Sequence, residues 1–145
     1  MTFFRRLLTT NAPAAVILIR LVVGAVFLAE GIQKFLYPDA LGVGRFAKVG
    51  IPAPEVMAPF VGVCEIVCGV LFLLGLLTRF AAVTMIIDMV VAISTTKVPI
   101  LLNEGFWKMA HEARTDWAML LGSLFLLLVG AGKWSLDATF HQDSR

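Results

Sequence analysis

The sequence predicts an all-α polytopic membrane protein, an antiparallel bundle of four transmembrane helices. Three observations carry that reading. Four long apolar stretches fill the 145 residues. Apolar residues make up 59% of the chain and charged residues only 15%, against roughly half and about a quarter in a soluble domain. The first three stretches also hold ionisable residues in their interior: Arg20 and Glu30, then Glu65, then Asp88. A bare charge in hydrocarbon costs from about 2.5 to more than 10 kcal/mol. Such groups must therefore face one another inside a bundle, or be used. Each crossing takes about 20 residues, so the length suits one membrane domain over residues 1–145, with no segment left for a soluble catalytic domain. A formal charge of +2, with basic residues scattered along the chain, excludes nucleic acid as a partner.

Arg5 and Arg6 precede an apolar run, as in a secretory signal. The run is long, Arg20 interrupts it, and no small-x-small cleavage site comes before Glu30, so it is expected to be retained as the first span, residues 13–36. Asn11 is placed to cap this helix and Pro13 suits its first turn. Tyr37-Pro38 ends it, because proline disfavours helix at the residue before it. A polar loop then leads through Gly42, Gly44, Arg45, Lys48 and Gly50 to Pro52 and Pro54. The second span is expected over residues 55–77, and a short turn at Thr78-Arg79 makes it the antiparallel neighbour of the third, residues 79–96. The next loop carries Lys97, Pro99, Asn103, Glu104, Lys108, His111 and Glu112. Its Ile100-Leu101-Leu102 and Phe106-Trp107 are too apolar for a free loop and predict an interfacial segment or short helix. The fourth span is expected over residues 114–131 and ends at Gly130-Ala131-Gly132. Trp107, Trp117 and Trp134 fall near span ends, where interfacial tryptophans sit.

Orientation is weakly encoded. Arg5, Arg6, Arg79, Lys133 and Arg145 fall on one side; Arg45, Lys48, Lys97, Lys108 and Arg114 fall on the other. The tally is equal, but arginines ahead of the first helix and in the tight turn favour both termini inside.

Arg20, Glu30 and Lys34 share an arc of about 80° on the first helix. Glu30 and Lys34, four apart, are spaced to pair. Arg20 lies about 15 Å along the axis from Glu30, so its expected partners are Glu65 and Asp88, near the middles of the second and third spans. One arginine facing several acids leaves the interior net negative, so at least one acid is expected to hold a proton. This network either fixes helix register or serves a ligand, a proton or a quinone; the alternative to both is that the depths are misjudged. Cys64 and Cys68 share a helix face, but side chains at this spacing run parallel and suit a disulfide poorly. His111 and His141 show no metal-ligand spacing. Gly24, Gly31, Gly62, Gly69, Gly75 and Gly122 are expected to let helices approach closely.

Several segments together resemble the DoxX family. They are Arg20-Leu-Val-Val-Gly-Ala-Val-Phe-Leu-Ala-Glu-Gly-Ile-Gln-Lys-Phe35, then Gly50-Ile-Pro-Ala-Pro54 leading into Glu65, Gly69-Val-Leu-Phe-Leu-Leu-Gly75 with Leu77-Thr-Arg79, and Gly130-Ala-Gly-Lys-Trp-Ser-Leu-Asp137. The resemblance covers residues 13–140. It implies a small four-helix protein of the prokaryotic cytoplasmic membrane, an accessory subunit of an oxidoreductase system rather than an enzyme acting alone. It implies contact with the bilayer and with a partner oxidoreductase subunit or a second copy. It names quinone as the candidate ligand and no other cofactor or metal. Arg20, Lys34 and Glu65 occupy family-like positions, while Asp88 and Asp116 look like features of a subgroup. Cys64 and Cys68 fall outside the pattern. A small transporter or permeability protein and a scaffold without ligand are the competing functions.

Overall fold

A computed structural model describes residues 12–142. Arg5, Arg6, Asn11 and Arg145, as well as the His141 side chain, lie outside what is described. Among the described residues the chain forms helices and no strands: α1 Val16–Leu36, α2 Val43–Lys48, α3 Pro54–Leu74, α4 Thr78–Glu104, α5 Phe106–Glu112, α6 Arg114–Val129 and α7 Leu136–Gln142. Three of them, α1, α3 and α4, are long and apolar enough to cross a membrane. At 16 residues, α6 is shorter. Apolar side chains cover much of the outer surface, including Leu18, Val22, Val56, Phe60, Ile87 and Leu128. That distribution fits a lipid solvent, since a water-soluble protein rarely exposes apolar patches so large.

α1 packs along α3 and α4 along α6, the two pairs meeting through α3 with α4 and α1 with α6. Glycines set the first contact. A Cβ on Gly24 would lie 2.9 Å from the Gly69 carbonyl oxygen, and one on Gly31 2.6 Å from that of Gly62. Two glycines seven apart on each helix thus let antiparallel backbones touch, as small residues do in membrane helices.

The element ends differ from the sequence expectation: α6 stops at Val129 rather than 131, Thr78-Arg79 opens α4 instead of forming the turn, and three differences are larger. α1 begins at Val16 rather than at residue 13, because Pro13 and Ala14 form turns whose carbonyls accept from Val16 and Ile17. α3 stops at Leu74, where Gly75 adopts φ 66°. Its last turn closes with Leu76 N–H donating to Leu71 O at 3.0 Å and Gly75 N–H to Phe72 O at 3.2 Å, the Schellman pattern. α4 runs on to Glu104, straight through Lys97 and Pro99. Those residues read as loop, yet a membrane helix tolerates a proline whose missing bond is absorbed locally. The expected short helix in this region is α5, entered by a sharp turn at Gly105, φ 89°. The polar loop after α1 also contains a helix, α2.

Candidate functional site

The ionisable groups separate into two sets at opposite ends of the bundle. Arg20 stands five residues into α1, one turn from its start. It is about 9 Å from the helix midpoint, shallower than the span boundaries predicted. It reaches neither Glu65 nor Asp88. Its guanidinium donates to Phe72 O (Nε, 2.8 Å), Leu73 O (Nη2, 2.9 Å), Ala131 O (Nη1, 3.1 Å) and Trp134 O (Nη1, 2.5 Å). Phe72 and Leu73 belong to the last turn of α3, whose carbonyls lack partners within the helix. A cation there satisfies those carbonyls and the negative end of the helix dipole. Gly75 makes room for it: a Cβ at that position would sit 2.6 Å from Arg20 Cζ.

Two further charges act similarly at this end. Arg79 Nε donates to Leu127 O at 3.1 Å, near the end of α6. The Asp137 carboxylate, 1% exposed, accepts from Leu77 N–H (2.8 Å) and Thr78 N–H (3.1 Å) at the start of α4, an N-cap supplied from a distant part of the chain. Asp137 was not singled out from sequence, and a cap donated across 59 residues leaves no local pattern to find.

At the other end the charges meet one another. Lys34 Nζ lies 2.6 Å from Glu65 Oε2, both side chains largely buried. Lys34 thus pairs across helices with Glu65, not along α1 with Glu30 as the four-residue spacing suggested. The Asp88 carboxyl lines the same cavity as Glu65. Two neighbouring buried carboxylates have no donor between them, so the pair is suited to hold a proton. Asp88 Oδ2 is buried with no hydrogen-bond partner among the described residues. Nearer the membrane surface Lys97 Nζ lies 3.3 Å from Asp116 Oδ2. Lys97 escaped the sequence reading because it was assigned to a loop. Outside the spans, the Lys108 ammonium, 3.3 Å from Glu112, holds that carboxyl below the usual range.

Lys34, Glu65, Asp88, Lys97 and Asp116 line one half-open cavity of about 330 Å³. Its walls mix apolar side chains (Phe27, Met57, Val61, Met89) with the polar cluster, and Arg45 and Phe46 of α2 lie across it. Glu30 lines the cavity and is itself exposed, so the cavity is open at that edge. Of the six candidate residues, the cavity gathers Glu30, Lys34, Glu65, Asp88 and Asp116 and leaves out Arg20. Cys64 and Cys68 are free thiols. No group of His, Cys, Asp and Glu among the described residues is arranged to hold a metal.

An all-helical protein with several apolar helices around a charged cavity is an integral membrane protein. The DoxX family model matches residues 15–98, and the chain belongs to that family. It is 61% identical over 138 residues to an uncharacterised membrane protein of Mycobacterium tuberculosis, covering 91% of this chain and 85% of the relative. It is also 36% identical over 135 residues to an uncharacterised protein of Haemophilus influenzae, covering 90% and 93% of the two chains. No solved structure matches it.

Proposed function

We propose that the protein is a redox-associated subunit of the prokaryotic cytoplasmic membrane. Its cavity takes the head of a quinone on behalf of a partner oxidoreductase. The observation that supports this is the Lys34–Glu65–Asp88 cluster, set in a largely apolar pocket of about 330 Å³ that is open at Glu30. Small-molecule sites typically run from about 300 Å³ upward, mostly apolar with a few convergent polar groups. A quinone head is flat and apolar with two carbonyl acceptors, and the Lys34 ammonium and a protonated Glu65 or Asp88 are donors suited to them. In this arrangement α6 makes the fourth crossing. It lies along α4, carries the apolar run Ala118–Val129 within Arg114–Val129, and is flanked by Trp117 and Trp134. Both termini then face the cytoplasm, with α2 and α5 on the opposite side.

The test is equilibrium binding of a short-tailed benzoquinone or naphthoquinone to the purified protein in nanodiscs. Lys34→Met is expected to weaken binding tenfold or more, a loss of about 1.4 kcal/mol. No saturable binding by the wild type, or equal binding by Lys34→Met, overturns the quinone reading and favours the scaffold. Thiol labelling of Lys48→Cys and Trp107→Cys from one side, and of Lys133→Cys from the other, tests the four crossings.

A further inference from the structure

The two walls that close the cavity along the bundle axis differ. Toward Arg20 the wall is apolar. Val23, Phe27, Phe72, Met85 and Leu126, each 2% exposed or less, belong to one apolar core cluster at helix positions between the acid pair and Arg20. They come from all four long helices, and the Phe27 and Phe72 rings lie 6.2 Å apart. Beyond them Arg20 holds a fixed positive charge on backbone carbonyls. Toward α2 and α5 the wall is polar. Thr95, Thr96, Lys97 and Asp116 line the same cavity as Glu65 and Asp88.

The charges around the cavity also have a particular balance. Glu30 and Lys34 come from α1, Arg45 from α2, Glu65 from α3, Asp88 and Lys97 from α4, and Asp116 from α6. That is four carboxylates against three cations, so one bound proton makes the set neutral. Glu65 and Asp88, two buried carboxyls lining one cavity with no donor between them, are where such a proton fits. Cys64 and Cys68 on α3 are further ionisable neighbours of the pair.

We propose that Glu65 and Asp88 share one exchangeable proton, and that this proton reaches water through the Lys97–Asp116 side of the cavity and not past Arg20. The inference rests on the cavity being the functional site, as in the proposed function, but not on the identity of its ligand. The exchange is an acid–base step without electron transfer: the carboxyl O–H bond breaks, the proton passes by water and Asp116 to the bath, and a carboxylate stays behind. A charge beside a low-dielectric layer has no favourable route across it, so the apolar wall makes access one-sided. The same layer contains the Ser123 hydroxyl, buried without a hydrogen-bond partner among the described residues. A water chain through Ser123 is the structural way for the proposal to fail.

Dicyclohexylcarbodiimide, which adds to protonated carboxyl groups in apolar surroundings, is the probe. Right-side-out and inverted membrane vesicles from cells making the full chain are labelled with the inner and outer pH set independently, and the modified residue is identified by peptide mass spectrometry. The face carrying α2 is located by labelling Lys48→Cys. Labelling at Glu65 or Asp88 is expected to fall about tenfold per pH unit once the bath on the α2 side passes the midpoint, and to be unmoved by the bath on the other side. After a pH jump, Asp116→Asn should slow that fall by on the order of tenfold or more. Thr96→Val, which leaves both ion pairs in place, should slow it in the same direction. Sensitivity to the Arg20-side bath, absence of labelling at every pH, or unchanged rates in both variants each overturns the proposal. No quinone enters the assay, so a failure of quinone binding leaves this titration standing, and a two-sided titration leaves quinone binding standing.

Discussion

At the Arg20 end of the bundle charged side chains terminate helices, whereas at the Lys34 end they face one another across a cavity. Arg20 holds the last carbonyls of α3, Arg79 those of α6, and Asp137 the first N–H groups of α4. The partners there are backbone groups, which neither titrate nor move independently of the helix. At the other end, Lys34 with Glu65 and Lys97 with Asp116 are side-chain pairs beside open volume. Side chains can change rotamer, take up a proton or exchange one partner for a ligand. Buried charges therefore make one end a clasp and the other a site.

The sharpest way to break the comparison is Arg20→Ala. It leaves the Leu73, Ala131 and Trp134 carbonyls without their donor and Phe72 O with Gly75 N–H alone, each orphaned carbonyl costing about 1–3 kcal/mol where it stays buried and dry. A loss above about 3 kcal/mol is expected, read as failed accumulation or a large drop in the thermal midpoint in mild detergent. Arg20→Lys should recover only part, because an ammonium lacks the planar fork. An Arg20→Ala protein as stable as wild type would refute the clasp.

Gly75→Ala comes next. It forces φ 66° on a residue with a side chain and drives its Cβ against Arg20 Cζ. A left-handed conformation costs an alanine about 1–2 kcal/mol, and displacement of Arg20 adds to that. Combining Gly75→Ala with Arg20→Ala in a double-mutant cycle should give markedly less than the sum; strict additivity would show that Gly75 is not there for Arg20.

Lys34→Met should be milder. Glu65 loses its cation, but next to an open cavity it can be neutralised by a proton, so the cost stays near about 1–2 kcal/mol, below the range for a sealed pair. Ligand binding should suffer more than stability. A thermal loss as large as that of Arg20→Ala would mean that the Lys34 end is a clasp too. The smallest effect belongs to Lys108→Ala, on exposed α5. Its partner Glu112 is held below the usual carboxyl range, so the pair stabilises above that range and its contribution fades as pH falls through it. No measurable shift of the thermal midpoint at neutral pH is expected.

Much of the membrane architecture could be read from the chain, because hydrophobic length and buried charge are both properties of residue order. α1 and α3 lay where their apolar runs placed them, and the spaced glycines marked the faces that touch. Mid-span depth put Glu65 and Asp88 inside the bundle, whereas Lys34 was expected to pair with Glu30 and Asp116 entered only through the family resemblance; the structure lines one cavity with all four. Arg20 was misread for a physical reason: its partners are carbonyl oxygens, which every residue carries and no letter encodes. Lys97 was missed because a lysine followed by Pro99 looks like the end of a helix, while α4 continues for two turns. A hairpin centred on Gly105 would have brought Lys97 level with Asp116, and opposite charges two to three turns from one bend are the signal that could have revealed the pair.

The unequal lengths of α4 and α6 have a consequence for the surrounding lipid. At 27 residues α4 is about 40 Å long, and at 16 residues α6 is about 24 Å, against a hydrocarbon core of about 30 Å. Carried across the membrane as proposed, α6 is too short and α4 too long, and they lie side by side. A bilayer meets a short helix by thinning around it, which draws headgroups and water down toward Asp116, the third residue of α6. Acyl-chain length thus becomes a control on the outer ion pair: thicker membranes wrap it in hydrocarbon, thinner ones leave it wet.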